Sequence, residues 1–142
     1  MSNYCATARS NYFAVKDEAA FRQWAGGLQL AILKDSSPPK IDDGTPRFGI
    51  TPGDESDWGG WPTVRHDHQT GEDEDIDIHD ELSAHLADEE VAVLMEIGNE
   101  KIRYVTGTAI AVNNKGETAR VDLDAIYAAA TNLGKTITSA EY

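Results

Sequence analysis

"VAVLMEIGNEKIRYVTGTAIAVNNKGETARVDL", residues 91–123, decides the fold class. Its first seven residues, 91–97, are apolar except for Glu96, as a strand requires, and Gly98-Asn99 reads as a turn. "KIRYVTGTAIAV" (101–112) then forms a long partner strand, with Gly107 at an expected bulge. "NNKG" (113–116) turns the chain into a third strand, "ETARVDL" (117–123). Three strands joined by tight turns make an antiparallel meander. After them Asp124 is expected to cap a helix, "AIYAAATNL", whose Ile126, Ala129, Ala130 and Leu133 form an apolar stripe ending at Gly134. Residues 135–142 are expected to fray.

Upstream, "SNYFAV" (10–15) has strand character, and Asp17 caps a helix in which Ala20, Phe21 and Trp24 recur at helical spacing. Gly26-Gly27 stops that helix, "LQLAIL" (28–33) reads as a buried strand, and "RFGIT" (47–51) as another. Residues 35–46 are dense in turn formers. From about 52 to 76 no period holds, so this stretch is expected to be a long acidic loop. Beyond it Ile78, Leu82 and Leu86 share one helical face behind an Asp77 cap. The expectation is one α+β domain over 1–142: β-α-β-β, acidic loop, α, three-stranded meander and a last helix, with helices mainly on one face of an antiparallel sheet. Open strand edges would permit a symmetric homodimer.

Charge is the informative part of the composition. The chain holds 25 acids and 12 bases, a net of −13. Residues 54–90 contain 14 of those acids and a single base, Arg65; elsewhere eleven acids and eleven bases cancel. Such a field disfavours nucleic acid and anionic membranes as direct partners and favours basic proteins or cations. One cysteine cannot form an internal disulfide, no window is apolar enough to cross a bilayer, and the N-terminus lacks signal-peptide character. A cytoplasmic protein is the expectation.

Catalytic and metal chemistry find little footing. "DEDIDIHDELSA" (73–84) has Asp at positions 1, 3 and 5 of a calcium loop but Ile78 at position 6 and Ala84 at position 12, so it is not an EF-hand. His66 and His68 form an H-x-H pair, whereas His79 and His85 diverge on a helix. Nearby carboxylates are expected to raise the histidine pKa values. Phosphate-binding and nucleophile motifs are lacking, and with so many acids a carboxylate pair says nothing about catalysis. No cofactor and no metal are expected, and the chain is expected not to be an enzyme.

Acid runs are most often solvated surface. This one joins ordered elements instead of forming a tail, so packing should fix part of it despite self-repulsion. On an extended strand Asp73, Asp75 and Asp77 would project to one side roughly 6.6 Å apart, near the spacing of successive phosphates on a nucleic-acid strand. Asp80 and Glu81 follow on the helix. A row of carboxylates at that pitch suits a cleft lined with Lys and Arg, since the arginine fork accepts carboxylate as it does phosphate. The partner-binding set is therefore Glu72, Asp73, Glu74, Asp75, Asp77, Asp80 and Glu81, with Asp54, Glu55 and Asp57 as a second patch. Trp58 and Trp61 either supply a desolvated anchor or pin the loop to the core.

In this character the run Glu72–Asp77 with its flanking acids resembles the small acidic proteins of phages and mobile elements that inhibit host defence. These are the anti-restriction and anti-CRISPR proteins, several of which mimic DNA. "RSNYFAVKDEAAFRQW" and "EKIRYVTGTAIAVNNKGETARVDLDAIY" are also similar to mobile-element proteins. The resemblance covers a quarter of the chain, and such inhibitors share no single fold. It implies a non-enzymatic inhibitor that blocks a basic nucleic-acid-binding site of a host complex. Immunity against a basic nuclease toxin would use the same physics. A metal- or ligand-binding enzyme built on the His/Asp cluster and the tryptophan loop is the alternative of another class.

Overall fold

The structure, a computed structural model, describes residues 4–35, 39–53, 58–101 and 103–140. Among these residues it is α+β, with a four-stranded antiparallel main sheet and three short helices. The strands are β1 (Tyr4–Ser10), β2 (Leu30–Lys34), β3 (Phe48–Pro52), β4 (Val64–His66), β5 (Asp73–Asp75), β6 (Val91–Glu100), β7 (Tyr104–Asn113) and β8 (Thr118–Asp122). The helices are α1 (Glu18–Gly27), α2 (Ile78–Ser83) and α3 (Ala125–Ala129). The main sheet has the order β1-β6-β7-β8, while β2-β3 and β4-β5 form separate two-stranded ladders. No helix among the described residues is long and apolar enough to cross a membrane.

The meander forms as its sequence demands, with two adjustments. Gly98-Asn99 does not turn: β6 continues to Glu100, and the chain reverses at Lys101, in the left-handed region at φ 56°. Gly98 is a glycine because the Tyr4 ring lies over it; a Cβ there would stand 2.3 Å from the Tyr4 hydroxyl. Gly107 makes no bulge, since the β6–β7 register runs unbroken through Ile97↔Gly107. Instead Leu123 folds across it, and a Cβ would meet Leu123 Cγ at 2.9 Å.

The first strand lies earlier than the apolar pattern of 10–15 suggests. β1 pairs with β6 from Tyr4↔Glu100 to Ser10↔Leu94. Phe13 and Val15 make only isolated bridges, to Phe48 and Leu86, as the chain leaves the sheet for the core. The free edge of β1 is covered: Ala6 N–H donates to the Trp58 carbonyl at 2.7 Å, and Thr51 Oγ1 donates to the Ala8 carbonyl at 2.7 Å.

Period-two alternation divides the main sheet into two faces. Ala8, Ala92, Leu94 and Val112 point inward. They meet Phe13, Phe21 and Ala25 of the α1 region, Ile50 of β3, and Ile78, Leu82 and Leu86 of the α2 region in one buried cluster. Asp17 caps α1 by accepting from the Ala20 N–H at 3.2 Å. Buried Ser10 is satisfied twice, donating to the Asn11 carbonyl and accepting from the Ile50 N–H. α3 differs from its expected form. It ends at Ala129, Asp124 makes no side-chain cap bond, and Ile126 and Leu133 stay exposed.

Candidate functional site

The acidic segment is built outward from a hairpin that its lack of period conceals. Asp67 starts the reversal: its Oδ1 accepts from the backbone N–H groups of Gln69 (2.8 Å) and Thr70 (3.3 Å). These bonds hold its carboxyl below the usual range. Gly71, at φ +75°, completes the turn, and β4 pairs with β5 in the register Val64↔Asp75, Arg65↔Glu74, His66↔Asp73. The stretch expected to be one loop thus contains an ordered ribbon.

Extended backbone continues past β5 to Asp77 (φ −110°, ψ 106°), so alternation persists. Ile76 and Ile78 turn to the core while Asp73, Asp75 and Asp77 face solvent. Asp77 then caps α2, its Oδ1 accepting from the N–H of His79 (3.0 Å) and Asp80 (3.3 Å). Partial burial opposes ionisation of Asp77, but those N–H groups and the His79 ring outweigh it and keep the pKa low. Asp80 stands exposed on the first turn.

Arg65 organises the rest. Its guanidinium donates to Glu74 at 3.2 Å and makes a close ion pair with Glu81. Glu81 Oε1 also accepts from the Trp24 indole N–H at 2.9 Å, tying the hairpin to α1 and α2. Desolvation opposes the charge on Arg65, yet the two carboxylates hold its pKa above the ordinary value. Two of the expected binding acids, Glu74 and Glu81, therefore serve the fold. Asp73 is shared with His66, whose Nδ1 lies 2.6 Å from its Oδ1. Glu72 is exposed. Asp54, Glu55 and Asp57 lie outside the described residues.

The tryptophans separate. Trp61 is buried, its backbone N–H donating to Glu96 Oε1 (2.9 Å) and its indole N–H to the Met95 carbonyl (3.2 Å). Glu96 Oε2 accepts from the Tyr4 hydroxyl at 3.2 Å, so this carboxylate clamps loop to sheet. Trp58 keeps an open edge and packs obliquely on Tyr4, ring centroids 5.8 Å apart. Between these residues and the α2 cap lies a pocket of about 440 Å³, walled by Trp58, Trp61 and Ile110, with Asp77, His79 and Arg120 at its polar side.

The histidines do not converge. His66 and His68 stack edge to face at 4.7 Å. His85 packs beside Phe21 and Trp24, and burial lowers its pKa, opposite to the rise expected from neighbouring acids. Among the described residues no three His, Cys, Asp or Glu side chains are grouped to hold a metal ion. Sequence reasoning did not assign Arg65, Glu96 or Arg120. Only Arg65 carried a signal, as the lone cation among fourteen acids.

Compared with family models, curated proteins and solved structures, the chain matches none.

Proposed function

We propose that this protein is a non-enzymatic inhibitor whose acidic face occupies a basic, nucleic-acid-binding site on a partner, such as a host defence complex. The observation that carries it is the ordered row Asp73, Asp75, Asp77, continued by Asp80, on a ribbon and helix cap held by Arg65. The two strand residues are about 6.6 Å apart along the backbone, a pitch that basic phosphate-binding clefts accommodate. Preorganised anions lose little freedom on docking, and their field steers a basic partner in a salt-dependent way. Neutralising a basic nuclease toxin would engage the same row, and a toxin gene beside this one favours that version.

The test replaces Glu72, Asp73, Asp75 and Asp80 with lysine, leaving the structural Glu74, Asp77 and Glu81 intact. Wild-type protein immobilised in nuclease-treated host extract recovers a basic nucleic-acid-binding complex at low salt and loses it at high salt. The quadruple variant, folded by circular dichroism, recovers none. Equal recovery by both proteins refutes the proposal. A second reading rests on the Trp58–Arg120 pocket, whose size and mixed walls suit a small ligand. Binding of a small anion that is lost in Arg120→Ala, with the lysine variant unaffected, would favour it.

A further inference from the structure

We infer that the outward face of the main sheet is a dimerisation surface that packs against the same face of a second copy of this chain. A sheet in a two-layer domain buries one face and exposes a polar one. Here the outward face is apolar, while the inward one is apolar where it meets the core and polar at Glu96, Thr108 and Arg120. Val91, Met95, Ile97, Val105, Val121 and Leu123 lie on the side away from the core and are each between 48 and 66% exposed. Between them the floor is small: Gly107, Ala109, Ala111 and Ala119 occupy the same side.

Area and charge select the occupant. At roughly 100 Å² apiece the six large side chains offer on the order of 600 Å², and the floor between them brings the face toward the ~800 Å² per partner of a standard interface. That is at or above the largest patch of an ordinary monomer, roughly 300–600 Å². Among the described residues the strand positions of this face carry no acid, and charge stands at its rim, where Glu117 bonds Asn113, Asp35 and Lys40 lie beside Met95, and Lys101 lies beside Ile97 and Val105. Arg9 is its one strand cation, and it is already engaged, 5.4 Å above the Tyr12 ring with its Nε donating to the Ser10 carbonyl at 3.0 Å. A basic partner has no electrostatic reason to choose this surface. A second copy presents the same apolar relief, large side chains around a floor of alanines within a rim of mixed charge, which a twofold axis sets ridge against trough.

Repulsion between two chains of net charge −13 does not prevent this. The acidic hairpin and α2 lie over the inward face, so two sheets stacked about 10 Å apart keep them on opposite outer sides. Their separation then exceeds the ~8 Å screening length at physiological salt several times over. The contact differs from pairing at the β1 edge, which already bonds to Trp58 and Thr51.

Sedimentation across the micromolar range tests it. The wild type is expected to run at twice the monomer mass, and to hold or strengthen that association at high salt. Val105→Lys with Val121→Lys, both exposed in the single chain, should weaken it at least ~100-fold. In the unmodified protein the exposed thiol of Cys5, beside Asn99 on this face, should alkylate more slowly as concentration rises. A monomer throughout, a dimer indifferent to the lysines, or a Cys5 rate unchanged on dimerisation overturns the inference. The acidic-face lysine variant should dimerise normally, so failure of this inference and failure of the inhibitor proposal are separately visible.

Discussion

Replacing Glu81 with glutamine separates the acids that hold the hairpin from those that face solvent. Glu81 is 26% exposed at its side chain and receives two donors on one oxygen, the Trp24 indole N–H and the Arg65 guanidinium. Hydrogen bonds to a charged group contribute about 1.5–3 kcal/mol each when shielded. Partial exposure reduces that, and a glutamine oxygen still accepts from Trp24. The expected loss is about 1–2 kcal/mol, with Glu74 left as the charged partner of Arg65. Asp75→Asn and Asp80→Asn remove equal charge where the fold does not use it, and should stay within about 0.5 kcal/mol of wild type. Urea unfolding followed by tryptophan fluorescence reads all three as midpoint shifts at constant slope. If E81Q unfolds with the wild type, or Asp75→Asn costs as much as E81Q, the division of the acids proposed here is wrong.

Gly59→Ala meets two obstacles, a left-handed φ of +84° and a Cβ only 1.9 Å from the Ala6 carbonyl oxygen, so it should cost more than about 2 kcal/mol in the same assay. Gly44→Ala, at φ +78° in open space, should cost about 1 kcal/mol, and equal costs would discount the Ala6 contact. Arg47 pairs with Asp43 (2.9 Å) and Glu90 (3.0 Å), and its guanidinium holds Asp43 down to about 2 and Glu90 below its ordinary value. Carboxyl groups lowered in the folded state stabilise it above their unfolded pKa values, and that contribution is lost as pH falls through the folded ones. Melting temperature should therefore drop between about pH 4 and 2 less steeply in Arg47→Met than in wild type; parallel acid limbs would refute this.

Local signals in the sequence were legible where one residue commands its neighbours. Asp17 and Asp77 cap their helices because a carboxylate before a helical stripe has donors within three residues. β2 and β3 appear close to where apolar runs end in turn formers. β1 escaped notice because "YCATARS" is weakly apolar and is a strand only through its pairing with residues 94–100. The apolar run beside it, containing Phe13, is drawn into the core instead. α3 shows the reverse error: a helical stripe has no consequence for packing unless a surface waits for it. At the site, the row Asp73, Asp75, Asp77 follows from strand period alone, whereas the diversion of Glu74 and Glu81 to Arg65 requires three elements to be assembled. The hairpin was betrayed by a single cue, an Asp four residues before a glycine, whose side chain mimics a backbone turn.

The pairing of β1 with β6 has a consequence for biosynthesis. A ribosome must deliver residues 94–100 before β1 finds its mate, so until then Tyr4–Ser10 has no ladder to join. Meanwhile α1 and the β2–β3 ladder can assemble early, and the meander closes over them last. The nascent chain thus emerges with its anionic middle already outside and the apolar outward face of β6–β8 still to come, an order that keeps neighbouring chains apart until each can complete its own sheet.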